Sequence, residues 1–384
     1  MTKRASDFPA PMTHGTTFLA DLVATRKVIV VCGAGGVGKT TTSAAIGLAG
    51  ALAGRKTLVL TIDPARRLAE AMGIPAASRE PARLDPSRLP DGIGHAKGEL
   101  WAWMLDPEVV FEGMVRRLSE SDEKAQEILG SRLYGHVSRL VAGMQEYTAA
   151  EALHSLASSG NYDLVVLDTP PSRNALDFLE APKKLSGFLD ERVVSLFLPT
   201  SFGLMRAASS LVSTVFTRIF GAGFFDELKV FIGAFSTMFG AMRGHAGEVA
   251  ELLTSRDASF LLVTSPEPSA LAEAGFFQAK MRELGVPLAG SILNRSYAYT
   301  RGLVRPEGVL VPEGASPALA SALGKLGALA DLELQRAERD RRILADLVAS
   351  AGGGFAVATP HLGGAVEDVA GLVALADHLV GRED

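Results

Sequence analysis

Residues 33–41 read Gly-Ala-Gly-Gly-Val-Gly-Lys-Thr-Thr and follow the apolar run Val28-Ile29-Val30-Val31. Glycines at this density let the backbone curl until several N–H groups point at one centre, a geometry suited to anionic oxygens. The spacing matches the phosphate-binding pattern G-x-x-x-x-G-K-[ST], in its usual place between a strand and a helix. A helix starting near Lys39 adds the positive end of its dipole. In this reading Lys39 reaches the β- and γ-phosphates of a nucleotide and the Thr40 hydroxyl holds Mg²⁺. Gly33, Gly35, Gly36, Val37, Gly38, Lys39, Thr40 and Thr41 form the expected cradle, with ATP or ADP and Mg²⁺ as cofactors.

Three further positions carry chemistry. Leu164-Val165-Val166-Leu167-Asp168 is an apolar run ending in an acid, the pattern in which a carboxylate holds Mg²⁺. The turn-rich Thr169-Pro170-Pro171-Ser172-Arg173-Asn174 follows, where a segment sensing the γ-phosphate would sit. Thr61-Ile62-Asp63-Pro64 ends a second run. Asp63 there serves either to orient an attacking water and the metal, or to cap a helix whose first residue is Pro64. Spacing alone does not decide between them. Ser291-Ile292-Leu293-Asn294-Arg295 ends a late run, and the Asn294 amide offers a donor–acceptor pair suited to a purine edge. An asparagine serving only a turn has the same signature.

Such residues must be held at strand ends. Strands are expected at 27–32, 57–62, 100–105, 163–168, 259–264, 289–293 and 354–358. Most are continuous apolar runs, as in parallel strands buried on both faces. Alternation with helical patterns predicts an α/β, doubly wound, mostly parallel sheet with a P-loop, in one domain over 1–384. Two stretches, 107–160 and 183–255, interrupt the rhythm and read as helices forming a subdomain on one side. Residues 298–315 mix Gly, Pro and Arg like a loop, and a charged helix follows over 316–350.

The 183–255 stretch holds Phe188, Phe197, Phe202, Phe216, Phe220, Phe224, Phe225, Phe231, Phe235 and Phe239, more than half of the 18 phenylalanines. Phe231, Phe235, Phe239 and Met242 fall on one helical face. This is either helix–helix core or an apolar surface that a partner helix or lipid occupies.

The chain has 384 residues, net charge −5 and pI near 5.9. That balance gives no general attraction to nucleic acid, so no nucleic-acid partner is expected. Cys32 is the one cysteine, which excludes an internal disulfide and a thiolate zinc clip. It reads as a small core residue. No apolar segment follows Lys3 and Arg4 to make an export signal, so a cytoplasmic protein is expected, free or peripheral at the inner membrane. The most apolar region, roughly 194–221, is broken by Arg206 and Arg218 and does not make a membrane span.

Together these motifs resemble the ArsA/Get family of ATPases, within the class that includes ParA and MinD, and look closest to its single-P-loop bacterial members. Residues 33–41 resemble the family P-loop, Asp63-Pro64-Ala65 its first switch and Asp168-Thr169-Pro170-Pro171 its second. Asn294 matches an adenine-contacting asparagine. Pro360 and the 367–375 stretch resemble the nucleotide-side loop and final helix. Residues 174–182 look like the segment leading into the helical client region. The resemblance implies Mg-dependent ATP hydrolysis with Asp63 positioning the water. It also implies a homodimer, or a heterodimer with a related ATPase, that rearranges with nucleotide. A client that is a hydrophobic helix or membrane protein would sit at 183–255.

The chain departs from the family pattern in three ways. No C-x-x-C exists, so a zinc-clamped dimer is not expected. No arsenite thiol site is expected, because its three cysteines are missing. Ala34 replaces the signature lysine that reaches across the dimer. Phosphoryl transfer needs positive charge near the transferring group, so Arg66, Arg67 or Arg173, all on the switch segments, is expected to supply it. Two other readings stay open: a positioning ATPase of the ParA/MinD kind, and a regulatory nucleotide-binding subunit paired with a paralogue. The missing lysine and the absence of a basic amphipathic C-terminus count against the first.

Overall fold

The sheet is built from runs that are apolar on both sides. In the computed structural model, which describes residues 11–61, 72, 78–89, 98–131, 134, 145–169, 245, 247–298, 311, 314–350, 354–361, 366 and 368–382, eight strands form one sheet. They are β1 (Val28–Gly33), β2 (Lys56–Thr61), β3 (Ala82–Arg83), β4 (Glu99–Met104), β5 (Leu164–Asp168), β6 (Ala258–Thr264), β7 (Leu288–Ser296) and β8 (Phe355–Pro360). All six residues of β1 and all five of β5 are buried. The seven expected strands are present, with ends moved by at most three residues. β3 was not foreseen: it is a two-residue edge strand with no apolar run of its own, antiparallel to β4.

The spatial order is β3-β4-β2-β5-β1-β6-β7-β8, and every pair except β3–β4 is parallel. The chain leaves β1, skips one place to β2, and later fills the gap with β5. Thr61 and Val31 therefore flank Asp168 in register. In open sheets of this kind the ligand crevice lies beyond the carboxyl ends of the strands where the winding reverses.

Helices cover both faces. They are α1 (Pro11–Thr25), α2 (Lys39–Leu52), α3 (Pro107–Leu118), α4 (Asp122–Gly130), α5 (Gln145–Ser158), α6 (Pro268–Glu283), α7 (Pro317–Ser350) and α8 (Val369–Val380). Residues 247–254 are also helical. Ile29, Val31, Val59, Val166, Val263 and Val357 point to one core with α1, α2 and α8. Val28, Val30, Leu58, Val165 and Leu262 point to the other, with Val110 of α3, Leu153 of α5, Leu253 and Phe277 of α6. The alternation follows from the two-residue period of a strand. Burying each such Val, Leu or Ile contributes roughly 1.5–3 kcal/mol.

Local sequence sets the helix starts. Asp106 accepts from Glu108 N ahead of Pro107, and Asp368 accepts from Gly371 N, each satisfying an open N–H of the first turn. The expected charged helix is α7. Only its C-terminal half is buried against the sheet, through Ala337, Asp340, Leu344 and Leu347. Buried Asp340 anchors it by accepting from Tyr297 N at 2.8 Å and Ser296 Oγ at 3.3 Å. Of the expected helical stretch 183–255, residues 183–244 and 246 lie outside the described residues, as do most of 298–315. Among the described residues no helix is long and apolar enough to cross a membrane.

α2 carries the phosphate-loop residues and is made of small side chains so that it can lie close to the sheet. A Cβ on Gly47 would stand 2.3 Å from Val59 Cγ2. Gly47→Val should therefore destabilise the protein. Overpacking costs about 1–3 kcal/mol, against the ~1 kcal/mol or less by which valine exceeds glycine in helix propensity. A lowered urea midpoint at unchanged slope is the expected result.

Candidate functional site

β1 ends at Gly33, beside Val263 of β6, and the loop 34–38 turns the chain into α2. Gly38 makes the turn with φ +94°, a left-handed conformation that a side chain resists. Gly38 stands at the N-cap of α2 with no side chain to satisfy the first-turn N–H groups. α3, α4 and α8 are each capped by an Asp or Ser side chain. The start of α2 thus keeps its N–H groups and dipole directed at the crevice, as an anion site requires.

Lys39 is buried, and its Nζ donates to the Ala34 carbonyl at 2.8 Å, spanning the loop. The Thr40 hydroxyl donates to Asp168 Oδ2 at 2.6 Å. The same oxygen accepts from Thr61 Oγ1 at 2.9 Å. Asp168 is fully buried at the end of β5. A hydroxyl and a carboxylate converging on one point is a donor set for a hard, oxygen-liganded cation. Thr169 Oγ1 donates to the Val31 carbonyl at 2.9 Å and fixes the exit of β5 onto β1.

Asn294 lies in β7, not in a turn. Between Leu293 and Ser296 the register with β8 slips, so three steps along β7 match two along β8, and Arg295 adopts φ +56°. A bulge of this kind re-aims a side chain. The Asn294 Nδ2 donates to the Val37 carbonyl at 2.8 Å, and Oδ1 accepts from Thr359 Oγ1 at 2.7 Å. The amide therefore bolts the phosphate loop to β8. Pro360, next along, is the last residue of β8, at the same edge of the sheet.

The structure thus gathers Gly33, Gly35, Gly36, Val37, Gly38, Lys39, Thr40, Thr41, Asp168, Asn294 and Pro360 at one edge. Asp63, Arg66, Arg67 and Arg173 lie outside the described residues. β2 ends at Thr61, two residues before Asp63, and β5 ends at Asp168, five before Arg173. Ala34 is itself buried, with its side chain in the same core as Val37. Burial pushes the Cys32 thiol up to about 12, so it stays protonated and inert, as a core residue does. Thr61 and Thr359 escaped sequence reasoning. The available signal was a hydroxyl residue closing an otherwise apolar strand.

Residues 26–300 match the family model described as anion-transporting ATPase. The chain belongs to the anion-transporting ATPase family. A putative arsenical pump-driving ATPase of Aquifex aeolicus is 26% identical over 295 residues, 76% of this chain and 66% of that protein. An ATPase ASNA1 homolog of Entamoeba dispar is 32% identical over 177 residues, 45% of this chain and 50% of its own length. ATPase get3 of Schizosaccharomyces japonicus is 30% identical over 159 residues, 41% and 45% respectively. The chain thus spans from about half to two thirds of these relatives.

The bolt formed by Asn294 has a measurable cost of removal. In Asn294→Ala the Val37 carbonyl and Thr359 hydroxyl lose buried partners, at about 1–3 kcal/mol each. Urea denaturation without nucleotide should show the sum of the two, a loss of about 2–6 kcal/mol. A residue that served only to touch a base would leave the nucleotide-free stability unchanged.

Proposed function

We propose that this chain binds ATP with Mg²⁺ and hydrolyses it to ADP and phosphate. The observation that carries the reading is the Thr40–Asp168 contact at 2.6 Å beneath an uncapped helix start. A hydroxyl, a carboxylate and a ring of N–H groups together suit a triphosphate and its metal. Mg²⁺, held by Thr40, Asp168 and Asp63, supplies charge neutralisation on the phosphate oxygens. The loop N–H groups of 35–40 orient those oxygens, and the Lys39 ammonium stabilises the charge that develops on them. Asp63 orients the attacking water and takes its proton. The second N–H and second lone pair of the Asn294 amide would serve the adenine.

Ala34 brings no charge, so Arg66, Arg67 or Arg173 completes the site. The test is steady-state ATP turnover. Lys39→Ala should abolish it. The arginine that acts should lower it by about 10³-fold or more when replaced by alanine, the scale of an arginine finger. Unchanged turnover in all three arginine variants would leave the cation to come from elsewhere and refute the assignment.

Family membership also supports a coarser coupling. We infer that two chains, identical or related, pair across their nucleotides. Nucleotide state then alters access to the Phe- and Met-bearing 183–255 region, which takes a hydrophobic helix of a membrane-protein client. An apolar transmembrane-helix peptide should be captured with ATP and released with ADP, followed by fluorescence anisotropy. Absence of binding in every nucleotide state would exclude a client role and favour a regulatory subunit.

A further inference from the structure

A second cluster of chemistry-bearing groups lies away from the phosphate loop. α5 runs into β5 through the short connection 159–163, so the end of α5 stands at the amino edge of the sheet, opposite the nucleotide crevice. His154 is on α5, one turn from that end. His245 and Glu248 stand at the start of the helical stretch that includes 247–254, spaced i, i+3. His154 Nε2 lies 3.9 Å from Glu248 Oε2, and His245 Nε2 lies 3.7 Å from the same oxygen. One ligand atom from each of the three residues falls within 4.8 Å of the others. The imidazoles meet edge to face with centroids 4.6 Å apart.

The surroundings prepare these groups to coordinate. His245 Nδ1 contacts Glu151 Oε2 at 2.7 Å, and Glu151 is fully buried and paired with Arg117. A carboxylate there accepts from a protonated Nδ1, so in the neutral ring the Nε2 atom, 3.7 Å from Glu248 Oε2, is the one that carries the lone pair. That is the carboxylate–histidine support found behind metal-bound imidazoles.

We infer that His154, His245 and Glu248 form a binding site for a divalent transition metal, with Zn²⁺ the best match to two imidazoles and one carboxylate. Tetrahedral zinc with ~2.0–2.1 Å bonds sets its ligands about 3.3 Å apart, so the two imidazole–carboxylate distances of 3.9 and 3.7 Å shorten by about half an ångström and the two imidazole nitrogens close from within 4.8 Å. Three protein ligands leave a fourth position for water. The metal staples α5 to the helical stretch that includes 247–254. It needs no thiol and is therefore distinct from a cysteine clamp between subunits.

The test uses the full chain and Zn²⁺ itself. Competition with a chromophoric chelator should give one equivalent of tightly bound Zn²⁺. Co²⁺ should give the intense visible bands of a four-coordinate site. Glu248 is 62% exposed, so Glu248→Ala keeps its fold and should bind at least tenfold more weakly. Glu151→Gln, which removes the carboxylate behind His245 and also its pair with Arg117, should weaken binding by about 10–100-fold while nucleotide binding reports that the fold is kept. The His154→Ala/His245→Ala double variant should lose the equivalent and the Co²⁺ spectrum while still binding nucleotide. No stoichiometric binding by the unaltered protein, or binding that survives the double substitution, overturns the site.

Discussion

The Asp168 carboxylate is the point on which the nucleotide edge of the molecule depends. It is fully buried, and a charge taken out of water is tolerated only where donors surround it. Thr40 comes from the helix after β1, and Thr61 from the end of β2. Three segments far apart in the chain thus converge on one oxygen. Their convergence requires β5 to lie between β2 and β1, so strand order and local chemistry are one constraint.

From that point outward, the architecture keeps α2 rigid and close. Its small residues let it lie against the sheet while α8 covers its other side. On the opposite face α3, α5, α6 and the 247–254 stretch share a second core. The loop between β1 and α2 is consequently the short link between two immovable bodies. Its shape is set by what lies beneath and beside it, including the buried Ala34 and the Asn294 amide.

Much of this was readable because the signals were local. Apolar runs announced seven strands, and the glycines with Lys39 and Thr40 announced the loop. β3 carried no such run. Asn294 was visible as a residue but not in its role, because a bulge set by Arg295 turns its amide toward Val37. The partnerships of Thr61 and Thr359 depend on which strands become neighbours, and no spacing records that. The same holds for His154 and His245, which meet only because two helices share one face of the sheet.

The reach of the Asn294 contacts bears on how the protein is made. Val37 and Asn294 are separated by 257 positions, and Thr359 lies 65 further on. During synthesis the amino-terminal part emerges first. The phosphate loop therefore leaves the ribosome long before its two-residue brace has been translated. β1, β2 and β5 are translated before β7 and β8, and the Asn294 contacts can close only once those two strands have been made. Such long-range closure comes late in folding, because loop entropy must be overcome before the contact rewards it. Competence for ligand is accordingly a property of the finished chain, and a ribosome-stalled fragment ending before β8 carries the motif without its brace.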